Sequence, residues 1–244
     1  DCIRADGLAC TVDDQCASGH CASGVCCDTA CEGSCVACDV PGLEGTCSEQ
    51  PPAPAFSVPT VANTNAATDS RHDRIPRLAS DRGEVWVVAW ETQSDIGDAG
   101  ADQDIAVASS TDGGDTWSDP LVANSNASSP DAHFAPDLAS DRSGGWMLVW
   151  TAFTGGEGQI EMATSTDSGA SWTNAIAFAG VGDSKNDFYP RVVHTGPAGS
   201  GRWLVAYQSP GAVGTDNEIQ VISTTDGGSN WDAPKMLQTE GAGD

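Results

Sequence analysis

Ser110-Thr-Asp112-Gly-Gly114-Asp-Thr116-Trp117, Ser165-Thr-Asp167-Ser-Gly169-Ala-Ser171-Trp172 and Thr224-Thr-Asp226-Gly-Gly228-Ser-Asn230-Trp231 are copies of one pattern, with their aspartates 55 and then 59 residues apart. Recurrence of a turn signature on this scale, with strand-like sequence between the copies, marks a repeat architecture. Ahead of each copy run a Pro-x-Leu/Val step and an alternating aromatic strand: Pro76, Leu78 and Val85 to Trp90; Pro136, Leu138 and Trp146 to Trp150; Pro190, Val192 and Trp203 to Tyr207. A second strand follows (Asp104 to Ser109, Gln159 to Thr164, Glu218 to Ser223), then the Asp-Gly turn, then a short strand expected to open at the Trp. Each unit reads as about four short antiparallel strands, the content of one β-propeller blade. The fold class expected is all-β: propeller blades over residues 58–244, three of them complete and a fourth beginning at Ala233.

The motif has a physical reading. A short carboxylate at the start of a tight turn accepts backbone N–H groups, Gly adopts a conformation that a side chain disfavours, and Trp anchors the hairpin. It resembles the Asp-box, or bacterial neuraminidase repeat, Ser-x-Asp-x-Gly-x-Thr-Trp. The first copy matches every position, the second has Ser171 for Thr, and the third has Thr224 and Asn230. The resemblance implies that Asp112, Gly114, Trp117, Asp167, Gly169, Trp172, Asp226, Gly228 and Trp231 are structural and lie away from any active face.

All ten cysteines, Cys2, Cys10, Cys16, Cys21, Cys26, Cys27, Cys31, Cys35, Cys38 and Cys47, fall before residue 48. An even count in so short a stretch reads as a disulfide-stapled module, here residues 1–48, exported to an oxidising compartment. Cys35-x2-Cys38 with Cys26, Cys27 or Cys31 offers four thiolates to zinc, but complete pairing of the ten thiols is the preferred reading. The module resembles the cysteine-rich repeats of bacterial cell-surface proteins through Ser23-Gly24-Val25-Cys26-Cys27-Asp28. That likeness implies an extracellular, cell-surface location. The proline cluster within residues 49–57 reads as a semi-rigid spacer between the two domains.

The net charge is −25, with only Lys185 and Lys235 as lysines. Such a chain lacks the basic footprint that nucleic acid requires. No apolar run is long enough to span a bilayer.

Arg74-Ile75-Pro76 resembles the sialidase Arg-Ile-Pro signature, which implies that Arg74 binds a substrate carboxylate. The second arginine expected in that family is missing from Glu91-Thr92-Gln93. An acid/base aspartate would come from the following loop, which holds Asp95, Asp98, Asp102 and Asp104, while the family's Tyr nucleophile and its Glu partner come from later blades. Tyr189 and Tyr207 read as blade residues, and His72, His133 and His194 sit at three different offsets from their prolines, defining no common site. The same four carboxylates, interleaved with Gly and Ala, also suit a calcium ion; no cofactor is required by the motifs. The leading expectation is a non-catalytic propeller for binding a glycan or cell-surface protein, for adhesion or for assembly, its remaining blades expected from continuation in a longer chain or else from self-association. The alternative is part of a sialidase-like glycoside hydrolase.

Overall fold

The computed structural model describes residues 6–22, 24–30, 36–38, 44–49, 61–68, 71–97, 100, 102–179, 186–210 and 217–237. Two compact units divide the chain, Asp1–Pro59 and Thr60–Asp244. The first is cross-linked by Cys10–Cys21, Cys16–Cys26 and Cys27–Cys38. Cys47 is disulfide-bonded too, whereas Cys2, Cys31 and Cys35 lie outside the described residues. Cys26, Cys27 and Cys38, weighed above as zinc ligands, are therefore used in disulfides. Among its described residues the regular structure is a 3-10 turn, Asp13–Gln15, and two short antiparallel pairs: β1 (Cys21–Ala22) with β2 (Val25–Cys26), and β3 (Val36–Ala37) with β4 (Ser48–Glu49). So small a unit buries too little apolar surface to offset chain entropy, and covalent closure supplies the difference.

The described residues of the second unit form three four-stranded antiparallel sheets, each in simple chain order. Blade one is β5 (Arg74–Ser80), β6 (Trp86–Thr92), β7 (Asp104–Ser110) and β8 (Leu121–Val122). Blade two is β9 (Ala132–Ser140), β10 (Trp146–Thr154), β11 (Glu157–Ser165) and β12 (Ile176–Ala179). Blade three is β13 (Phe188–Thr195), β14 (Arg202–Pro210), β15 (Asn217–Thr224) and β16 (Lys235–Met236). Among the described residues no helix is long and apolar enough to cross a membrane.

Two expectations are corrected. The outer strand does not open at the Trp: a backbone bond follows each Trp (Ser118, Thr173 and Asp232 to Ser109, Thr164 and Ser223), and β8, β12 and β16 begin several residues later. The segment from Ala233, read as the start of a fourth blade, instead supplies β16, which pairs with β15 at Val221↔Lys235.

The three turns share one hydrogen-bond network. Asp112 Oδ1 accepts the Thr116 N–H at 2.9 Å and the Ser110 hydroxyl at 2.7 Å, its Oδ2 accepts Thr116 Oγ1 at 2.5 Å, and Ser110 Oγ accepts the Gly114 N–H at 2.9 Å. Ser171 gives Asp167 the same bonds, and Asn230 gives them to Asp226 through its backbone and its Nδ2. The departures from the motif thus preserve a donor at each position. These bonds stabilise the ionised form: donation from Thr116 and Ser110 lowers the Asp112 carboxyl to about 2, and donation from Asn230 and Thr224 does the same for Asp226.

The turns also fasten each blade to the one before it. Gly169 has φ +80°, and a Cβ there would lie 2.6 Å from Val87 Cγ2 of blade one. A Cβ on Gly228 would lie 2.3 Å from Met162 Cε of blade two. Trp231 stacks on Phe178 of blade two with ring centroids 4.2 Å apart. Around these contacts, Leu138 and Trp146 of blade two join Val87, Ile105 and Val107 of blade one in one buried cluster. Val192 and Trp203 of blade three likewise join Met147, Ile160 and Met162 of blade two. Each large side chain buried this way contributes roughly 1.5–3 kcal/mol, so most of the core lies between blades.

Candidate ligand-binding face

The register Arg74↔Glu91 and Thr92↔Asp104 places the start of β5 at one end of its sheet, whereas Ser80, Trp86 and Ser110, beside the Asp-Gly turn, are at the other. At the first end every inner strand has the same irregularity. Pairing skips Ile75–Pro76, Ala135–Pro136 and Tyr189–Pro190, and the residue before each proline is left-handed, with φ of 50°, 54° and 56°. Such strain in a β-branched or aromatic residue persists only where the surroundings impose it. In blades two and three the preceding blade does so: Glu91 Oε1 accepts the Ala135 N–H at 2.7 Å, and Thr151 Oγ1 accepts the Tyr189 N–H at 3.0 Å.

The bulges turn Ile75 and Tyr189 outward, and both are exposed. One position beyond each proline stand Arg77, Asp137 and Arg191. Arg77 Nε is 3.7 Å from Asp137 Oδ1, and Asp137 Oδ2 accepts the Val192 N–H at 2.8 Å. Burial raises the Asp137 pKa, although the Val192 bond and both arginines oppose this. The two guanidinium groups also donate to Pro76 O and Pro190 O, which holds them in place.

A cavity of about 500 Å³ opens here, lined by Ile75, Arg77, Glu91, Gln103, Phe134, Ala135, Tyr189 and Arg191. Phe134, Phe188 and Tyr189 form an aromatic cluster beside it, with centroids 6.0–6.4 Å apart. Apolar rings next to two fixed guanidinium groups suit a ligand with both an apolar face and an anionic group.

Behind the wall of this cavity is a polar cluster that the sequence did not reveal. Asp104, Asn124 and His133 are fully buried between blades one and two. Asn124 Nδ2 donates to Asp104 Oδ1 at 2.7 Å and lies 3.3 Å from His133 Nδ1, while His133 Nε2 is 3.8 Å from Glu161 Oε2. Burial raises Asp104 to about 6, against the lowering effect of Asn124 and with a smaller upward push from Asp102; burial also lowers His133. No spacing signalled the cluster, because the His133 position is held by Asp73 and Asp187 in the other blades.

Arg74 lies at this end of β5, exposed and in no ion pair among the described residues. Asp95 Oδ1 accepts the Gly100 N–H at 2.9 Å, Asp98 lies outside the described residues, and Asp104 turns inward to Asn124. The four-carboxylate calcium grouping therefore loses Asp104. Among the described residues, the metal-type ligands within reach of one another are Cys10, Cys16 and Cys26, whose sulfurs are in disulfides. Tyr207 and Tyr189 are both blade residues, in β14 and β13; Tyr207 is buried, whereas Tyr189 also lines the cavity. His72 is exposed and His194 packs edge-on against Trp203, so the histidines do not converge.

No protein-family model and no curated protein matches the sequence. Solved structures do. A leech intramolecular trans-sialidase complexed with 2,7-anhydro-Neu5Ac superposes with a TM-score of 0.53 at 13% identity, over 75% of this chain and 46% of that one. A Hadza microbial sialidase gives 0.49 at 20% identity, over 65% and 36%. Trypanosoma rangeli sialidase in complex with the inhibitor DANA gives 0.47 at 18%, over 68% and 32%. The chain spans less than half the length of these structures. What the trans-sialidase likeness shows at this identity is the fold: four-stranded blades of the kind found in sialidase β-propellers.

Proposed function

We propose that these blades form part of the glycan-binding face of a sialidase-like propeller, and that its ligand is an acidic sugar. The observation that carries this reading is the cavity flanked by Arg77 and Arg191, with Phe134 and Tyr189 beside them, at the end of the blades opposite the Asp-boxes. Its volume of about 500 Å³ is in the range of small-ligand sites. An aromatic ring stacks on the apolar face of a pyranose, and a guanidinium group pairs with a carboxylate through two parallel hydrogen bonds. Arg74, at the same end, is the third cation available to such a ligand.

A hydrolytic role rests on the likeness of fold to sialidases, and we assign no nucleophile or acid within these residues: Glu91 is engaged by Ala135, and Asp104 is buried. The disulfides suit an extracellular protein. The test is saturation-transfer NMR of the full chain with 3′-sialyllactose and with lactose. Selective binding of the acidic sugar, weakened at least tenfold by Arg191→Ala as a lost charge-assisted pair predicts, supports the reading. Equal response to both sugars, or an unaltered Arg191→Ala variant, refutes it. Release of free sialic acid in the same samples would establish the enzyme, independently of which arginine binds.

A further inference from the structure

Pro59-Thr-Val61-Ala62-Asn63-Thr64-Asn65-Ala66 repeats, with two changes, Pro120-Leu-Val122-Ala123-Asn124-Ser125-Asn126-Ala127, which holds the outer strand of blade one and the turn after it. The folds agree as closely. Asn63 O and Asn65 O accept the N–H groups of Ala66 and Thr68, as Asn124 O and Asn126 O accept those of Ala127 and Ser129. Asn63 Nδ2 donates to Asp73 Oδ2 at 2.7 Å, and Asn124 Nδ2 lies 3.3 Å from His133 Nδ1; Asp73 and His133 each stand three residues before the proline of an inner-strand bulge. Ser125 Oγ accepts the Ala175 N–H of blade two at 2.9 Å. Thr64 reaches the matching place on blade one, where Pro120 has no N–H, and donates instead to Asp119 Oδ1 at 2.6 Å. Residues 61–68 thus sit on blade one as residues 122–129 sit on blade two.

One set of bonds is missing. The Ala123 N–H donates to Ile105 O at 2.8 Å, Asn124 Oδ1 accepts the Ile105 N–H at 2.9 Å, and Asn124 Nδ2 donates to Asp104 Oδ1 at 2.7 Å, all on the third strand of blade one. Among the described residues, the Ala62 N–H and Asn63 Oδ1 have no such partner. Both residues are half-buried, where Ala123 and Asn124 are buried.

We propose that residues 61–68 are the outer strand and turn of a further blade whose inner strands are not their neighbours in sequence. The chain before them, Asp1–Pro59, belongs to the other compact unit, whereas β8, β12 and β16 each follow the third strand of their own sheet. β7, β11 and β15 already carry those outer strands, so the occupant is none of the three described sheets, in this copy or another. It is a three-stranded sheet of the same kind, antiparallel to the edge formed by residues 61–63. Its third strand offers the C=O and N–H of an apolar residue to Ala62 and Asn63, with an acceptor side chain one residue earlier for the second Asn63 Nδ2 hydrogen. Strand addition of this kind draws affinity from main-chain hydrogen bonds and specificity from the side chains beside them. The blade so formed ties a further sheet to blade one by backbone bonds and covers an edge that otherwise stays unpaired.

The test supplies that sheet from the protein itself. Residues 71–119, the first three strands of blade one with their turn, are duplicated in the full chain between Val58 and Pro59, so that Asp119 is followed by a proline as it is before β8. Hydrogen exchange read by NMR is expected to slow at Ala62 by at least about tenfold relative to the unaltered chain, toward the rate at Ala123. Asn63→Ala in the grafted chain is expected to reverse the slowing. A second variant needs no added sheet: residues 59–68 replace residues 120–129, and the blade transition is expected within about 2 °C of wild type, with the Ile105 amide still protected. The same residues in shuffled order are the control, expected to melt at least about 8 °C lower. Unchanged exchange at Ala62 in the grafted chain overturns the proposal. So does a replacement that melts like its shuffled control, because residues 59–68 are then no outer strand.

Discussion

Replacing Gly169 by Ala tests whether the turn that follows Asp167 joins blades or only closes its own hairpin. The new Cβ would lie 2.6 Å from Val87 Cγ2, 3.5 Å from Cγ1 and 3.6 Å from Ser109 Cβ. Carbon atoms in contact prefer about 3.5–4.0 Å, so the nearest overlap is about 1 Å. Val87 cannot yield easily: it is fully buried, and a β-branched side chain has few rotamers. Holding a side chain at φ +80° costs roughly 1–2 kcal/mol, and overpacking a tight core adds roughly 1–3 kcal/mol. The control is Gly227→Ala, at φ +71° with nothing within 4 Å; Ser168 occupies the same motif position in blade two at φ 61°. Only the backbone term applies there. At roughly 2–4 °C per kcal/mol for a unit of this size, calorimetry of the full chain should show the blade transition of Gly169→Ala falling roughly 2–12 °C further than that of Gly227→Ala. Val87→Ala should remove most of that extra loss when combined with Gly169→Ala, since the clash partner is gone. Equal losses for the two glycines, or strict additivity with Val87→Ala, would sink the argument that this glycine is selected by the neighbouring blade.

Asp104 provides a pH test. Its pKa is raised in the folded state, so the native chain binds the extra proton, and stability falls as pH rises from about 4 through about 6. At about 1.4 kcal/mol per pH unit, the rise from 3.8 to about 6 amounts to ~3 kcal/mol. Asp104→Asn should therefore be more stable than wild type at neutral pH and lose this advantage by pH 4 in urea titrations; parallel pH profiles for the two would contradict it. Asp226 has the opposite sign: its folded pKa, depressed to about 2, adds stability above the unfolded value that is lost as pH falls toward 2. Asp226→Asn should thus differ most from wild type at neutral pH and converge on it in acid, and the Asp226 carboxyl resonance should still be titrating below pH 3. Leu138→Ala, which empties an interblade site, should cost roughly 2–5 kcal/mol. A cost below 1 kcal/mol, read by the same unfolding curves, would mean that the blades do not share a core.

Much of the blade architecture was legible because its signals are local. An Asp, a Gly and a Trp at set offsets specify a turn whose donors lie within the turn itself, so Ser171 and Asn230 could be recognised as substitutes for Thr from chemistry alone. Alternation along Trp86 to Trp90 and its counterparts marked the second strands for the same reason. The outer strands were misplaced because a strand of two residues, such as Leu121–Val122, is defined by its partner across the sheet and not by any pattern of its own. The disulfide module was announced by cysteine count, but its pairing required coordinates, since many connectivities fit one spacing.

The binding face was less accessible to the sequence. Arg74 stood out through its Arg-Ile-Pro context, yet Arg77, Arg191 and Tyr189 carried no distinguishing mark; they meet because equivalent positions of successive blades converge at one end. Asp104 read as a loop carboxylate among three others, and only packing against Asn124 and His133 turned it inward and raised its pKa. The sequence alone thus determined what depends on neighbours along the chain: the three Asp-centred turns, the strand periodicity and the oxidised cysteine module. The tertiary structure alone decided which residues from different blades share a cavity, a buried charge or an open face, because burial and proximity across repeats depend on how sheets pack.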